Sequence, residues 1–283
     1  MNRRSFLHRA FCGAVVSLST ARFGLRGLSS TIRRLSKIGL ELYTVRRELE
    51  KDFAGTLQKV AALGFLEVEF ADYFKHTPHE VKTILAHYQL SSPSAHVSTA
   101  ALRGNLQEEI EAARIIGHQY LVCAYIPIEE RRSLDDYQKL VDLLNSAGER
   151  LRRAGIQFAY HNHDFEFLPV EGSLPYDLIL AGTDPRLVKM ELDLYWITKA
   201  GQDALKYFSA YPGRFPLVHL KDMDATPRHF FTEVGQGIIN FKKIFAAAQT
   251  AGVKHYFVEQ DETPASPFSS IKLSMDYLKR LEF

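Results

Sequence analysis

Between Phe158 and Phe167 the chain reads F-A-Y-H-N-H-D-F-E-F: an apolar run stops, and two histidines, an asparagine, an aspartate and a glutamate follow within six residues. Three later apolar runs end in the same manner. Val188 to Asp193 closes on Glu191 and Asp193, Pro216 to Asp222 on His219, Lys221 and Asp222, and Tyr256 to Asp261 on Glu259, Gln260 and Asp261. Carboxylates and imidazoles are the ligands of divalent cations and the usual general acids and bases. Brought to one place, Asp193, His219 and Glu259 would hold Mn²⁺, Mg²⁺, Co²⁺ or Zn²⁺, with a fourth ligand from His161, His163 or Glu166. No pair stands at a close ligand spacing such as H-E-x-x-H, so a fold must assemble the site.

The elements that can do so are parallel strands. Short apolar runs at Ile38–Tyr43, Phe65–Phe70, Ser94–Val97, Tyr120–Ala124, Gln157–His161, Val188–Asp193, Pro216–Leu220 and Tyr256–Gln260 alternate with helical patterns. The helices are expected at Asp52–Leu63, Pro78–Tyr88, Leu106–Ile116, Ser133–Ala154, Tyr176–Ala181, Asp203–Tyr211, Phe241–Ala251 and Ser270–Leu281. Thr77 before Pro78 reads as an N-cap, and Asn105 with Glu108 three residues on as a capping box. Each strand that returns through a helix must pair parallel to its neighbour. Eight such units in one domain of this length predict a closed (β/α)8 barrel, whose C-terminal strand ends converge on one mouth.

Other groups are candidates for that mouth. His96 ends the third strand and either lines the site or is a satisfied core histidine. Glu67 and Glu69 alternate on the second strand, so one is expected to face inward, and Glu69 is nearer the end. Glu41 reads as a layer residue or a buried pair. Lys221, two residues beyond His219, holds a substrate oxygen or pairs with an acid. Tyr195 and Trp196 after Asp193 would wall a sugar pocket or pack the core. Gly235-Gln236-Gly237 precedes a helix and reads as a turn rather than a phosphate loop.

The bulk numbers bound the partners. The chain has 283 residues, 46% hydrophobic and 24% charged, with a net charge of +2 and two cysteines, Cys12 and Cys123. Residues 1–21 carry Arg3, Arg4 and Arg9 and no acid; without those three, 32 of the 35 basic residues face 33 acids, so the body has no general attraction for nucleic acid. A basic start, a short apolar run over Ala10–Thr20 and small residues to Ala21 have the layout of an export signal, and the run is too short for a stable membrane span. The expected division is a signal and linker over residues 1–30 and a barrel over 37–283, in an exported, periplasmic protein; homo-oligomer assembly is left open.

With these motifs in view, I-G-L-E-L-Y-T-V-R (38–46), Y-H-N-H-D-F-E-F (160–167), E-L-D-L-Y-W (191–196), H-L-K-D-M (219–223), V-G-Q-G (234–237) and V-E-Q-D (258–261) resemble the xylose isomerase-like TIM-barrel superfamily. The nearest branch in pattern is sugar phosphate isomerase/epimerase, and Arg3-Arg4 with Phe6-Leu7 is similar to a twin-arginine signal. The resemblance implies one divalent metal held by Glu, Asp, His and Glu on successive late strands. These fall on His161, Asp193, His219 and Glu259; the histidine at the first place is a departure, so His161 itself or Glu166 completes the set. His163 matches a histidine that acts as acid/base in some relatives. The implied activity is sugar isomerisation or epimerisation by proton abstraction next to a carbonyl, with His163 or Glu259 as base and Lys221 or His96 orienting a small carbohydrate. Lyase or hydrolase action on an exported 3-keto-glycoside would use the same proton chemistry. A sugar-binding barrel without catalysis is the alternative should strand five supply no ligand. DNA repair, another activity in the superfamily, is disfavoured by the body's charge.

Overall fold

The computed structural model describes residues 33–263 and 266–283. Eight parallel strands close into a barrel: Gly39–Glu41, Glu67–Phe70, Ser91–Val97, Tyr120–Cys123, Gln157–His161, Val188–Asp193, Leu217–Leu220 and His255–Val258. The last pairs with the first, with Gly39 opposite Phe257. Register between neighbouring strands brings His161 beside Glu191 and Asp193 beside His219. Successive side chains of a strand point to opposite faces. One face of each strand (Leu40, Val68, Leu121, Phe158, Leu192, Val218) turns outward into the main apolar core under the helices. The other fills the barrel interior, where Tyr120, Val122, Ala159, Leu217 and Phe257 form a small separate cluster. Gly39 is required there, because a Cβ on it would come within 2.4 Å of the Phe257 ring.

The helices hold this cylinder by one apolar stripe each. Leu134–Arg153 buries Tyr137, Leu140, Val141, Leu144, Ala147, Gly148 and Leu151, spacings of three and four that keep one face inward. Ser133 caps it, its hydroxyl accepting the Asp136 amide at 3.2 Å. Thr77 and Glu80 make the reciprocal capping box of Pro78–His87. Asn105 precedes Leu106–Ile116 but its side chain makes no capping bond, so the expected box with Glu108 is not formed.

Several boundaries differ from expectation for local reasons. The first strand stops at Glu41 because its carboxylate accepts the Tyr43 amide at 2.8 Å and winds Leu42–Val45 into a 3-10 turn. Short helices at Arg46–Lys51, Thr99–Arg103 and Leu194–Lys199 were not expected, and a ribbon pairs Asp222–Met223 with Phe231–Thr232. Gly235-Gln236-Gly237 is a turn. Its amides are taken by Asp222, whose carboxylate accepts from Gly235, Gly237, Ile239 and Met223, so an internal anion sits where a phosphate would. Among the described residues no helix is long and apolar enough to cross a membrane. The export signal and Cys12 lie outside the described residues.

Candidate active site

Four strand ends meet inside the barrel mouth. His161 closes the fifth strand, Asp193 the sixth, His219 lies in the seventh and Glu259 follows the eighth, and all four are buried. One ligand atom from each lies within 4.8 Å of the others. Local bonds orient them. Asn162 Oδ1 accepts the Asp193 amide at 3.0 Å and ties the fifth strand to the sixth. Asp193 Oδ1 caps Leu194–Lys199 by accepting the Trp196 amide at 2.9 Å, which turns Oδ2 toward the mouth. Asp193 Oδ2, Glu259 Oε2, His219 Nδ1 and both ring nitrogens of His161 are buried without an aligned hydrogen bond. The two carboxylate oxygens have Lys221 as an ion-pair partner, while no hydrogen bond is aligned on the ring nitrogens of His161. Two imidazoles and two carboxylates that converge in this way are the donor chemistry a divalent cation takes. The residues therefore fit such an ion.

Lys221 is the neighbouring positive charge. Its ammonium stands 2.8 Å from Glu259 Oε2, 2.8 Å from Asp261 Oδ1 and 3.1 Å from Asp193 Oδ2. Burial works against that charge, but Asp193, Asp261 and Glu259 together hold its pKa well above the ordinary lysine value. Asp261 is pushed up to about 7 by burial, against the pull of Lys221. His163 lies flat on Phe165, its ring 4.9 Å from that of His161, and its Nδ1 is buried without a partner. Burial, then the charges of His161 and Lys221, hold its pKa well below the usual histidine value, so it is a neutral imidazole. A cavity of about 720 Å³ opens above these groups, with His96, His161, His163, His219, Lys221 and Glu259 among its lining and Tyr125 half-exposed at its rim.

A family model described as xylose isomerase-like TIM barrel matches residues 50–281. The chain belongs to the xylose isomerase-like TIM-barrel family. An inosose dehydratase of Lacticaseibacillus casei is 26% identical over 269 residues, covering 81% of this chain and 89% of that one. A sugar phosphate isomerase/epimerase from Parabacteroides distasonis ATCC 8503 superposes with a TM-score of 0.78 at 28% identity, covering 87% of this chain and 98% of its own. The IOLI protein, solved with a bound zinc atom, superposes with a TM-score of 0.68 over 86% of this chain and 95% of its own; at 14% identity the likeness is one of fold.

Within this xylose isomerase-like barrel, several candidates stand elsewhere than expected. Glu166 does not join the cluster: its two oxygens accept the Tyr160 hydroxyl at 2.5 Å and the His163 amide at 2.8 Å, and so brace the strand-five loop. Burial raises its pKa to about 7. Glu69 is fully buried beneath the mouth, bonded to His96 and His219, and does not reach the cavity. Glu67 also faces inward, since residues two apart share a strand face; it sits at the barrel's opposite end, 2.9 Å from His255 Nδ1. Tyr195 is buried, donating its hydroxyl to the His229 carbonyl, and Trp196 packs beside His163 and below Lys199 rather than lining the cavity. His96 does reach the cavity. Burial opposes its charge, but Glu69 and Glu191 raise its pKa to about 10.

Glu191 and Asp261, which close two of the apolar runs, were not singled out for a specific role in the sequence. Counting back by two from Asp193 reaches Glu191 and would have placed it inside. Asp261 lies past the strand end, where the period of two stops.

Proposed function

We propose that this protein is a divalent-cation-dependent carbohydrate enzyme that removes a proton from the carbon next to a carbonyl. The observation that carries the reading is the buried His161–Asp193–His219–Glu259 set, with its converging ligand atoms, opening into a cavity beside a neutral His163. A cation held by those four residues would supply the positive charge that polarises a carbonyl oxygen. His163, uncharged and facing the cavity, takes the proton; a general base within reach is worth typically 10²–10⁴-fold. Lys221 donates to a substrate oxygen, and Asp261 keeps its ammonium directed at the cavity mouth.

Two outcomes share that step. Returning the proton to the neighbouring carbon, or to the other face, isomerises or epimerises the sugar, as the name of the Parabacteroides neighbour suggests. Expelling a β-hydroxyl dehydrates it, as the name of the Lacticaseibacillus relative suggests. Loss of a glycosidic oxygen from a 3-keto-glycoside is a variant of the second. The experiment is proton NMR of the protein with ketoses, inososes and 3-keto-glycosides. An alkene or enone product supports elimination, an aldose or epimer supports isomerisation, and no turnover of any of them argues for a binding barrel. Export belongs to the same proposal, and rests on Arg3 and Arg4; lysine at both positions should leave the protein in the cytoplasmic fraction.

A further inference from the structure

Beneath the four residues just described lies a second group, three of whose members the proposed chemistry does not use. Glu69, His96, Glu191 and His219 also bring one ligand-type atom each within 4.8 Å of one another, and the two groups share His219. Neither oxygen of the fully buried Glu191 has a hydrogen-bond partner, nor does Glu69 Oε2. By donor type alone this lower group would also take a divalent cation.

The two ring nitrogens of His219 decide between the possibilities. Nε2 faces down, 2.7 Å from Glu69 Oε1 in hydrogen-bond alignment and 3.3 Å from Glu191 Oε2. The same Glu69 oxygen meets His96 Nε2 at 3.0 Å. Nδ1 faces up, 2.8 Å from Glu259 Oε2 and 3.8 Å from Asp193 Oδ2, without the alignment of a hydrogen bond. A carboxylate only accepts, so the aligned Nε2 carries a hydrogen, and Nδ1 is the nitrogen left to give its lone pair to a cation.

We infer that Glu69 is a positioning residue: by accepting the Nε2–H of His219 across the barrel it selects the tautomer whose Nδ1 lone pair faces Asp193 and Glu259, so the lower group is a proton-bearing brace under one cation and not a second cation site. This rests on the cation reading of the upper group. His96 donates to the same oxygen from the other side and keeps the Glu69 carboxylate from rotating away. Histidines that ligate metals commonly donate their second N–H to such a carboxylate, and losing it costs typically 10–100-fold in affinity.

The test is a Mn²⁺ titration of the full chain followed by electron paramagnetic resonance, in the wild type, Glu69→Leu, which removes the acceptor, and Glu191→Gln. The expected result is one equivalent in each protein, with Kd raised about 10- to 100-fold in Glu69→Leu and by less in Glu191→Gln. Unchanged affinity in Glu69→Leu overturns the inference, as does a second equivalent in the wild type that Glu191→Gln abolishes. A wild type that binds no cation sinks the upper-group reading along with it, whereas one equivalent indifferent to Glu69 sinks the inference alone. Should Glu69→Leu not fold, the cadmium measurement on the wild type decides. In ¹¹³Cd-loaded protein with ¹⁵N-labelled histidine, His219 should be protonated at Nε2 and coupled to cadmium through Nδ1; coupling through Nε2 overturns the assignment.

Discussion

Replacing Glu166 by glutamine separates a brace from a ligand. The carboxyl is fully buried, and burial raises its pKa from a reference of 4.5 to about 7. The folded state thus binds the proton more tightly than the unfolded chain does. Its contribution to stability is fully present below pH 4.5 and is lost as pH rises toward 7. A shift of that size corresponds to about 3 kcal/mol, at about 1.4 kcal/mol per pH unit. Glutamine keeps the geometry without the titration: its amide oxygen can accept the His163 amide, and the Tyr160 hydroxyl can reverse to accept from its NH₂. Urea unfolding of both cation-free proteins from pH 4.5 to 8 reads the difference, in which the other titrations cancel. The stability of Glu166→Gln relative to wild type should climb by about 3 kcal/mol between pH 4.5 and 7 and then level off. A difference that stays flat across this window, or that falls, refutes the reasoning. Cation affinity should be unchanged in the variant; a large loss would return Glu166 to the ligand set.

Lys221→Met leaves Asp193, Glu259 and Asp261 buried together without their shared ammonium, so the cation-free protein should lose about 3–5 kcal/mol in urea unfolding. Gly39→Ala drives a methyl into the Phe257 ring inside the barrel and should cost about 1–3 kcal/mol; Phe257→Leu in the same chain should recover part of it in calorimetry. Ser133→Ala removes a helix cap and should cost about 1 kcal/mol with no effect on activity. His163→Asn should lower kcat by about 10²–10⁴-fold in a product assay while the bound cation stays at wild-type stoichiometry.

The barrel was legible in the sequence because its two periods are clean. Gln157–His161 and Val188–Asp193 are strands over the residues expected, and Leu106–Ile116 and Phe241–Ala251 are helices over theirs. The convergence of Asp193, His219 and Glu259 followed from strand ends alone. What escaped lies where side chains, and not periodicity, set the backbone: Glu41 winding Leu42–Val45, Asp193 starting Leu194–Lys199, Asp222 gathering the amides of the 235–239 loop. Glu67 and Glu69 were misjudged for a simpler reason, since residues at positions i and i+2 face the same way. The choice between His161 and Glu166 could not be read from spacing. It depends on Tyr160, whose hydroxyl on the outer face of the fifth strand draws the Glu166 carboxylate away from the mouth.

The central claim is that one cation, held by His161, Asp193, His219 and Glu259, serves proton abstraction beside a carbonyl. The most direct measurement is solvent exchange: incubate the protein with a ketose or inosose substrate in D₂O and follow deuterium at the carbon next to the carbonyl by NMR. Exchange should stop when a chelator strips the protein, return when one equivalent of a divalent cation is restored, and stay absent in Asp193→Ala. Exchange that survives chelation, or that Asp193→Ala retains at the wild-type rate, would contradict the account.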